Sequence, residues 1–286
     1  MKKTLLFLIF TAALFFNNSL FAAEEMAKEG EMPKDEQAMA AAEEEKEELK
    51  SPAELSEMAE SIREEKEAAA APKEEWTFIQ IAFWDGLPSY TKNSNVNGLK
   101  TGWPLSTGQG RLWGFEVSWF GSCTDIVRGM QACWILNKSV VIDGFQATFI
   151  TNVSDVQNGF QACGFCNYNK VEMNGMQASV VNIAEGNFTG VQAGAVNVAG
   201  NYTGFQPSAV MNINEGITKG WQACPLYNKA GTLSGVQTSI FNVADENKGI
   251  QFGLINLSDK GGWQFGLINY IEDGWIPVMI GFNFKF

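Results

Sequence analysis

Gly144-Phe145-Gln146-Ala147-Thr148-Phe149-Ile150-Thr151-Asn152 is followed, fifteen residues on, by Gly159-Phe160-Gln161-Ala162-Cys163-Gly164-Phe165-Cys166-Asn167. Both read as one phrase: glycine, a large apolar residue, glutamine, usually alanine, a small residue, two or three apolar residues, asparagine. The glycines recur at Gly114, Gly129, Gly144, Gly159, Gly175, Gly190, Gly204, Gly220, Gly235, Gly249 and Gly262, with a degenerate copy at Gly98. The glutamines are Gln131, Gln146, Gln161, Gln177, Gln192, Gln206, Gln222, Gln237, Gln251 and Gln264, with Glu116 in the first copy. The asparagines are Asn137, Asn152, Asn167, Asn182, Asn197, Asn212, Asn228, Asn242, Asn256 and Asn269. Two polar residues held in step over ten copies define a repeat architecture, in which each unit buries its apolar and amide groups against its neighbours.

Each copy reads as strand and turn. The large residue after the glycine is followed by Gln or Glu, and alternation with a period of two marks a half-buried strand. Asp143-Gly144, Asn158-Gly159 and Asn174-Gly175 read as tight-turn pairs, and a second turn signal follows the asparagine, as in 182–186. The expected copy is a strand of about seven residues, a turn, a strand of about three and another turn.

Three architectures fit this pattern. A β-solenoid of about 11–12 coils of ~15 residues stacks like residues ~4.8 Å apart, so the Gln and Asn columns become hydrogen-bonded ladders. An outer-membrane β-barrel of about 12 strands uses each copy as one spanning strand, with apolar residues toward lipid and polar ones toward the lumen. An array of hairpins adds two antiparallel strands per copy. Half the copies lose one residue between glutamine and asparagine, and Pro225 falls in the same interval. Within a spanning strand these would shift the register and remove a ladder donor. At a corner they are harmless, which favours the solenoid.

The units Gly249-Ile250-Gln251-Phe252-Gly253-Leu254-Ile255-Asn256 and Gly262-Trp263-Gln264-Phe265-Gly266-Leu267-Ile268-Asn269, with the ending Trp275-Ile276-Pro277-Val278, resemble exported bacterial surface-repeat proteins built on G-L-Q-x-G-L-I-N units. The resemblance covers about residues 76–286, including a lead-in strand at 77–84. It implies an exported, envelope-associated protein and no particular chemistry. The chain departs from lipoprotein-like members in lacking a cysteine at the end of its leader.

Composition sets further bounds. The 286 residues contain no histidine, which excludes Ser/His/Asp and Cys/His nucleophile pairs, His-containing zinc sites and an imidazole base. The formal net charge of −12 excludes the basic footprint of a nucleic-acid binder. Residues 1–22, with Lys2 and Lys3 before an apolar run to Phe16 and small residues ending at Ala22, read as a secretory signal peptide. Residues 23–75 form an acidic Glu/Ala-rich spacer with 19 acids and 7 bases, whereas residues 76–286 hold 13 acids and 11 bases. Within the spacer, Ser51, Pro52 and Glu54 predict an N-cap, a first helical residue and a capping-box partner for a helix from Pro52 to Ala71. Leu55, Met58, Ala59 and Ile62 form its apolar seam, suited to a solvated stalk or to short coiled-coil self-association. The β-repeat domain then comprises the degenerate copy at 97–113, repeats at 114–274 and a terminal strand at 275–286.

Candidate sites are few. Asp155, Glu185, Glu215, Asp245, Asp259 and Glu272 share the place three residues after the asparagine. Asp245, Asp259 and Glu272 belong to consecutive copies, and such a column of carboxylates is a candidate calcium ridge, with Lys248 and Lys260 near enough in sequence to neutralise it. Cys133, Cys163 and Cys224 occupy the small-residue place, and Cys163 with Cys166 forms a lone C-x-x-C. The reading is of a non-catalytic exported envelope protein that presents a regular β surface for adhesion or assembly, with an unknown protein or glycan partner and no nucleic acid. The alternative is an outer-membrane β-barrel channel with a periplasmic acidic stalk.

Overall fold

The structure, a computed structural model, describes residues 50–70, 76–83, 87–92 and 94–285. The signal reading at 1–22, most of the acidic spacer and residues 71–75 lie outside the described residues. The repeats form a parallel β-solenoid of about 13 coils of ~15 residues. The coil beyond the expected count is the lead-in strand, β1 (Trp76–Ala82), which pairs in parallel with β2 (Asn95–Gly102).

Every neighbouring pair is parallel and in step through β3 (Leu105–Ser118), β4 (Gly121–Cys133), β5 (Leu136–Thr148), β6 (Thr151–Cys163), β7 (Cys166–Ala178) and β8 (Val181–Asn214). The shorter strands at 217–260 continue the stack to β15 (Gly262–Ile271). Gln146 pairs with Gln161 and Asn137 with Asn152, each with its own counterpart one coil later. This excludes the barrel, whose up-and-down strands must pair antiparallel, and the hairpin array with it. The one antiparallel pair among the described residues joins β15 to β16 (Val278–Lys285), where the stack ends. The alternation that suggested a barrel is real, but it fills a solenoid: amides point inward and large apolar residues outward.

The corner falls in the interval between glutamine and asparagine, at Phe149–Ile150 between β5 and β6, and at Pro225. The strands on either side of a shortened interval stay in step, Ala162 with Ala178 and Cys166 with Val181, so the missing residue is absorbed between them. The glycines expected to make tight turns do not turn. Gly144 and Gly159 lie within strands at φ 145° and 127°, and a Cβ on Gly159 would stand 2.1 Å from the Gly144 carbonyl oxygen. The column is glycine because each backbone presses on the coil before it.

Inside each coil the side chains fall into columns. Val96, Leu112, Val127 and Ile142 form one apolar run, and Met173, Phe188, Ala184, Ala199 and Tyr202 form another. Phe188 and Tyr202 stack at 5.3 Å, and the Tyr202 hydroxyl donates to the Gly190 carbonyl at 2.9 Å.

The helix α1 (Pro52–Ala70) begins as its capping box predicts: Ser51 N–H donates to Glu54 Oε2 at 2.8 Å and Glu54 N–H to Ser51 Oγ at 3.3 Å. It is not a solvated stalk. Its seam of Met58, Ala59 and Ile62 packs on Val140, Val141, Val156 and Val171, so the surface offered to a coiled coil is already covered within the chain. The fit is one of length. Asn187 donates to the Pro52 carbonyl at 2.6 Å and Asn95 to the Ala70 carbonyl at 3.3 Å. These two asparagines are six coils apart, roughly 29 Å at strand spacing, and the helix covers about 27 Å at its rise per residue. Arg63 binds Asp143 at 2.7 Å, Lys66 binds Asp125 at 3.0 Å, and Glu67 pairs with Arg128.

Two expectations follow. Gly159→Ala lowers unfolding stability by about 3 kcal/mol, from positive-φ strain and backbone overlap, and denaturant melts read the loss. Burial alone would raise the Asp143 carboxyl, but hydrogen bonds from Arg63 and Asn158 and the charges of Arg63 and Arg128 outweigh it and hold the group below 3.8. A depressed carboxyl stabilises above its unfolded pKa and loses that contribution as pH falls through the folded one. Docking of α1 therefore weakens below about pH 4, seen as faster hydrogen exchange at 52–70; Arg63→Ala exchanges faster already at neutral pH.

Candidate functional site

The Gln and Asn residues of the two columns are fully buried, and each is bonded to its counterpart in a neighbouring coil. Nine Gln-to-Gln bonds of 2.7–3.0 Å run from Gln146, whose Nε2 donates to Gln131 Oε1, to Gln264, whose Nε2 donates to Gln251 Oε1. Every donor points toward the N-terminal end. Nine Asn-to-Asn bonds of 2.9–3.2 Å run the other way, from Asn137 Nδ2 onto Asn152 Oδ1 through Asn256 onto Asn269. The second hydrogens reach backbone carbonyls, as in Asn152 Nδ2 to Ala162 O at 2.7 Å. All twenty ladder residues expected from the sequence are thus brought together, as structure.

The Gln ladder starts on an anion. Gln131 Nε2 donates to Glu116 Oε2 at 2.9 Å, and Glu116 is fully buried. A carboxylate suits that place because it accepts without having a hydrogen of its own to satisfy; the Asn ladder ends differently, on Asn269, whose Nδ2 turns to the carbonyls of Gly266 and Met279. The next coil places Lys100 in the same column, 3.7 Å from Glu116 and 3% exposed. Thr124 accepts from Lys100 Nζ at 2.6 Å and donates to Glu116 Oε1 at 2.9 Å, and Ser106 donates to the same oxygen at 2.7 Å. A charge at the end of aligned dipoles, itself neutralised, is the logic of a capped helix.

The acid column is stacked on the outside: Asp245 and Asp259 take facing places between the pairs Ala244–Ser258 and Glu246–Lys260. Asp245, Asp259 and Glu272 are exposed in consecutive coils, and among the described residues no three His, Cys, Asp or Glu side chains are grouped as a metal site requires. Lys248, expected to neutralise this ridge, binds Glu246 at 3.1 Å, and Lys260 stands in register with the same Glu246. The five cysteines are free and half-buried. Burial pushes the thiols of Cys123 and Cys166 up to about 12 and Cys133 to about 11, far from the thiolate a redox pair needs at neutral pH.

The feature that sequence reasoning missed lies on the outside. From Phe115–Ser122 to Trp263–Asn269, the arc from the residue after each glycine to the asparagine carries no Asp, Glu, Lys or Arg except inward-facing Glu116. All other charges of the repeats fall on the remaining arc, where α1 docks. On the uncharged arc Phe115, Phe205, Trp221 and Trp263 form one exposed column, and Trp119, Trp134, Phe149, Phe165, Val180, Ile240, Leu254 and Leu267 follow the corner. Trp134, Phe149 and Phe165 touch in sequence, with ring centroids 6.2 and 5.9 Å apart. Between the columns Ala132, Ala147, Ala162, Ala178, Ala193 and Ala223 are half-buried. Counting charges by repeat position, rather than by segment, would have exposed this asymmetry. Compared with models of known families, with curated proteins and with solved structures, the chain matches none.

Ladder polarity is testable. Gln161→Glu places an acceptor against Gln146 Oε1 and buries a charge, lowering stability by about 3 kcal/mol or more at neutral pH. Acid restores much of the loss, because a protonated carboxyl regains one donor. Melting temperatures of variant and parent across pH measure the recovery.

Proposed function

We propose that this chain is a non-catalytic, exported envelope protein that uses the uncharged face of its solenoid for adhesion or assembly. The observation that carries the reading is that face: an exposed apolar surface spanning eleven coils without an exposed charge. Single folded chains rarely expose contiguous apolar patches above ~300–600 Å² unless the patch binds something. The interior supports a scaffold role, since its polar groups are committed to ladders and its thiols are held protonated. The leader-like residues 1–22 and the resemblance of the repeats to surface-repeat proteins support export. Among the described residues no helix is long and apolar enough to cross a membrane.

Substitution of exposed ridge residues tests the reading. Phe149→Lys with Phe165→Lys should leave the melting temperature within about 4 °C of the parent, because neither ring is in the interior. The doubly substituted chain should leave the envelope fraction on cell fractionation while the parent stays in it. Equal retention of both sinks the reading.

A further inference from the structure

We infer that the uncharged face pairs with a second copy of this chain, face to face about a two-fold axis. The inference rests on the reading above and names the partner. Its first support is relief. Phe145 and Phe160 stand along one side of an alanine-floored groove and Phe149 and Phe165 along the other. The floor from Ala132 to Ala223, with Pro207 in one place, covers six coil steps, roughly 29 Å at strand spacing, and closes beyond Thr238 at exposed Phe252. A ridge and a groove of matched period on one face make that face complementary to itself, which is what a two-fold contact requires.

Area is the second support. The exposed apolar residues of the face amount to roughly 1,500 Å², taking about half of each large side chain. A standard stable interface needs only about 800 Å² from each partner, and obligate homodimers use more. Charge is the third: an arc without exposed ions can be desolvated without stranding one.

Other occupants fit less well. The rings of Phe145 and Phe160 stack at 5.0 Å and 6°, so their faces are spent on each other and only edges point outward. A glycan would need polar partners beside the rings, and the outward places next to Phe145 and Phe160 are Ala147 and Ala162. A lipid surface would favour a basic border, whereas residues 76–286 hold 13 acids and 11 bases and the flanking arc bears Asp143 and Asp155.

Sedimentation velocity of the purified chain at micromolar concentration, without detergent, tests the pairing. The expected result is a particle of twice the chain mass. Ala162→Glu, on the groove floor, should weaken association at least ~100-fold, since pairing would bury an unmatched carboxylate. Thr203→Glu, an exposed change on the charged arc, should leave the dimer intact. Should Ala162→Glu fail to fold, Phe149→Lys at a side chain already 56% exposed serves in its place with the same expectation. A parent chain that is monomeric throughout, a folded face variant that still dimerises, or a monomer that floats with phosphatidylcholine vesicles overturns the inference. Monomeric behaviour with loss of envelope retention in the double ridge variant refutes pairing alone; a dimer with unchanged retention refutes the envelope reading alone.

Discussion

A side-chain amide removed from water must have both its donor and its acceptor satisfied, and identical amides one strand spacing away on either side supply the acceptor and the donor. The solenoid is built around that constraint. It fixes the register, because a coil displaced by one residue would set Gln161 against Ala147 rather than Gln146. It gives each column a direction, and the two columns run oppositely, so their aligned dipoles offset one another inside a buried interior. It also dictates the ends. The Gln column opens on Glu116, which accepts without a hydrogen of its own to satisfy, and Lys100 is buried beside it to offset its charge.

Committing the interior to amides decides what remains outside. Alternation sends the residue after glycine to the surface whenever glutamine points in, and in this chain that residue is Phe, Met, Trp, Val or Ile. The exterior is therefore more apolar over one arc than parts of the core. The other arc is treated differently: Val141, Val156 and Val171 would be exposed there, and α1 lies over them, held at its flanks by Arg63, Lys66 and Glu67. One chain thus covers its own apolar groove on the charged side and leaves the larger apolar face on the uncharged side open.

Much of this was legible because stacking repeats the same demand in every coil. The Gln and Asn spacing located the ladders, the lost residue and Pro225 located the corner, and Ser51 with Glu54 located the start of α1. What failed has physical reasons. Asp143-Gly144 has the letters of a tight turn, but positive φ is required there by the approach of one glycine backbone to another, and letters do not distinguish the two causes. Alternation separates two faces without saying whether neighbouring strands run parallel, which is why apolar-out and polar-in was equally a barrel pattern. The seat of α1 is assembled from Val141, Val156 and Val171, whose common purpose appears only once three coils are stacked.

The ends of the stack bear on where contacts can form. In-register ladders could in principle continue from one molecule into another, end to end. At the C-terminal end this is blocked: β16 runs antiparallel, and Asn283, opposite Gln264, donates to the carbonyls of Ile276 and Pro277 and leaves Gln264 Oε1 without a donor. At the other end the column passes through Lys100 to Gln80, whose amide turns aside to Ser94. Among the described residues neither end presents an amide aligned to receive the next copy. With both ends diverted and one long side occupied by α1, the uncharged arc is the broad surface on which a regular partner could register, and its period is already that of the chain itself.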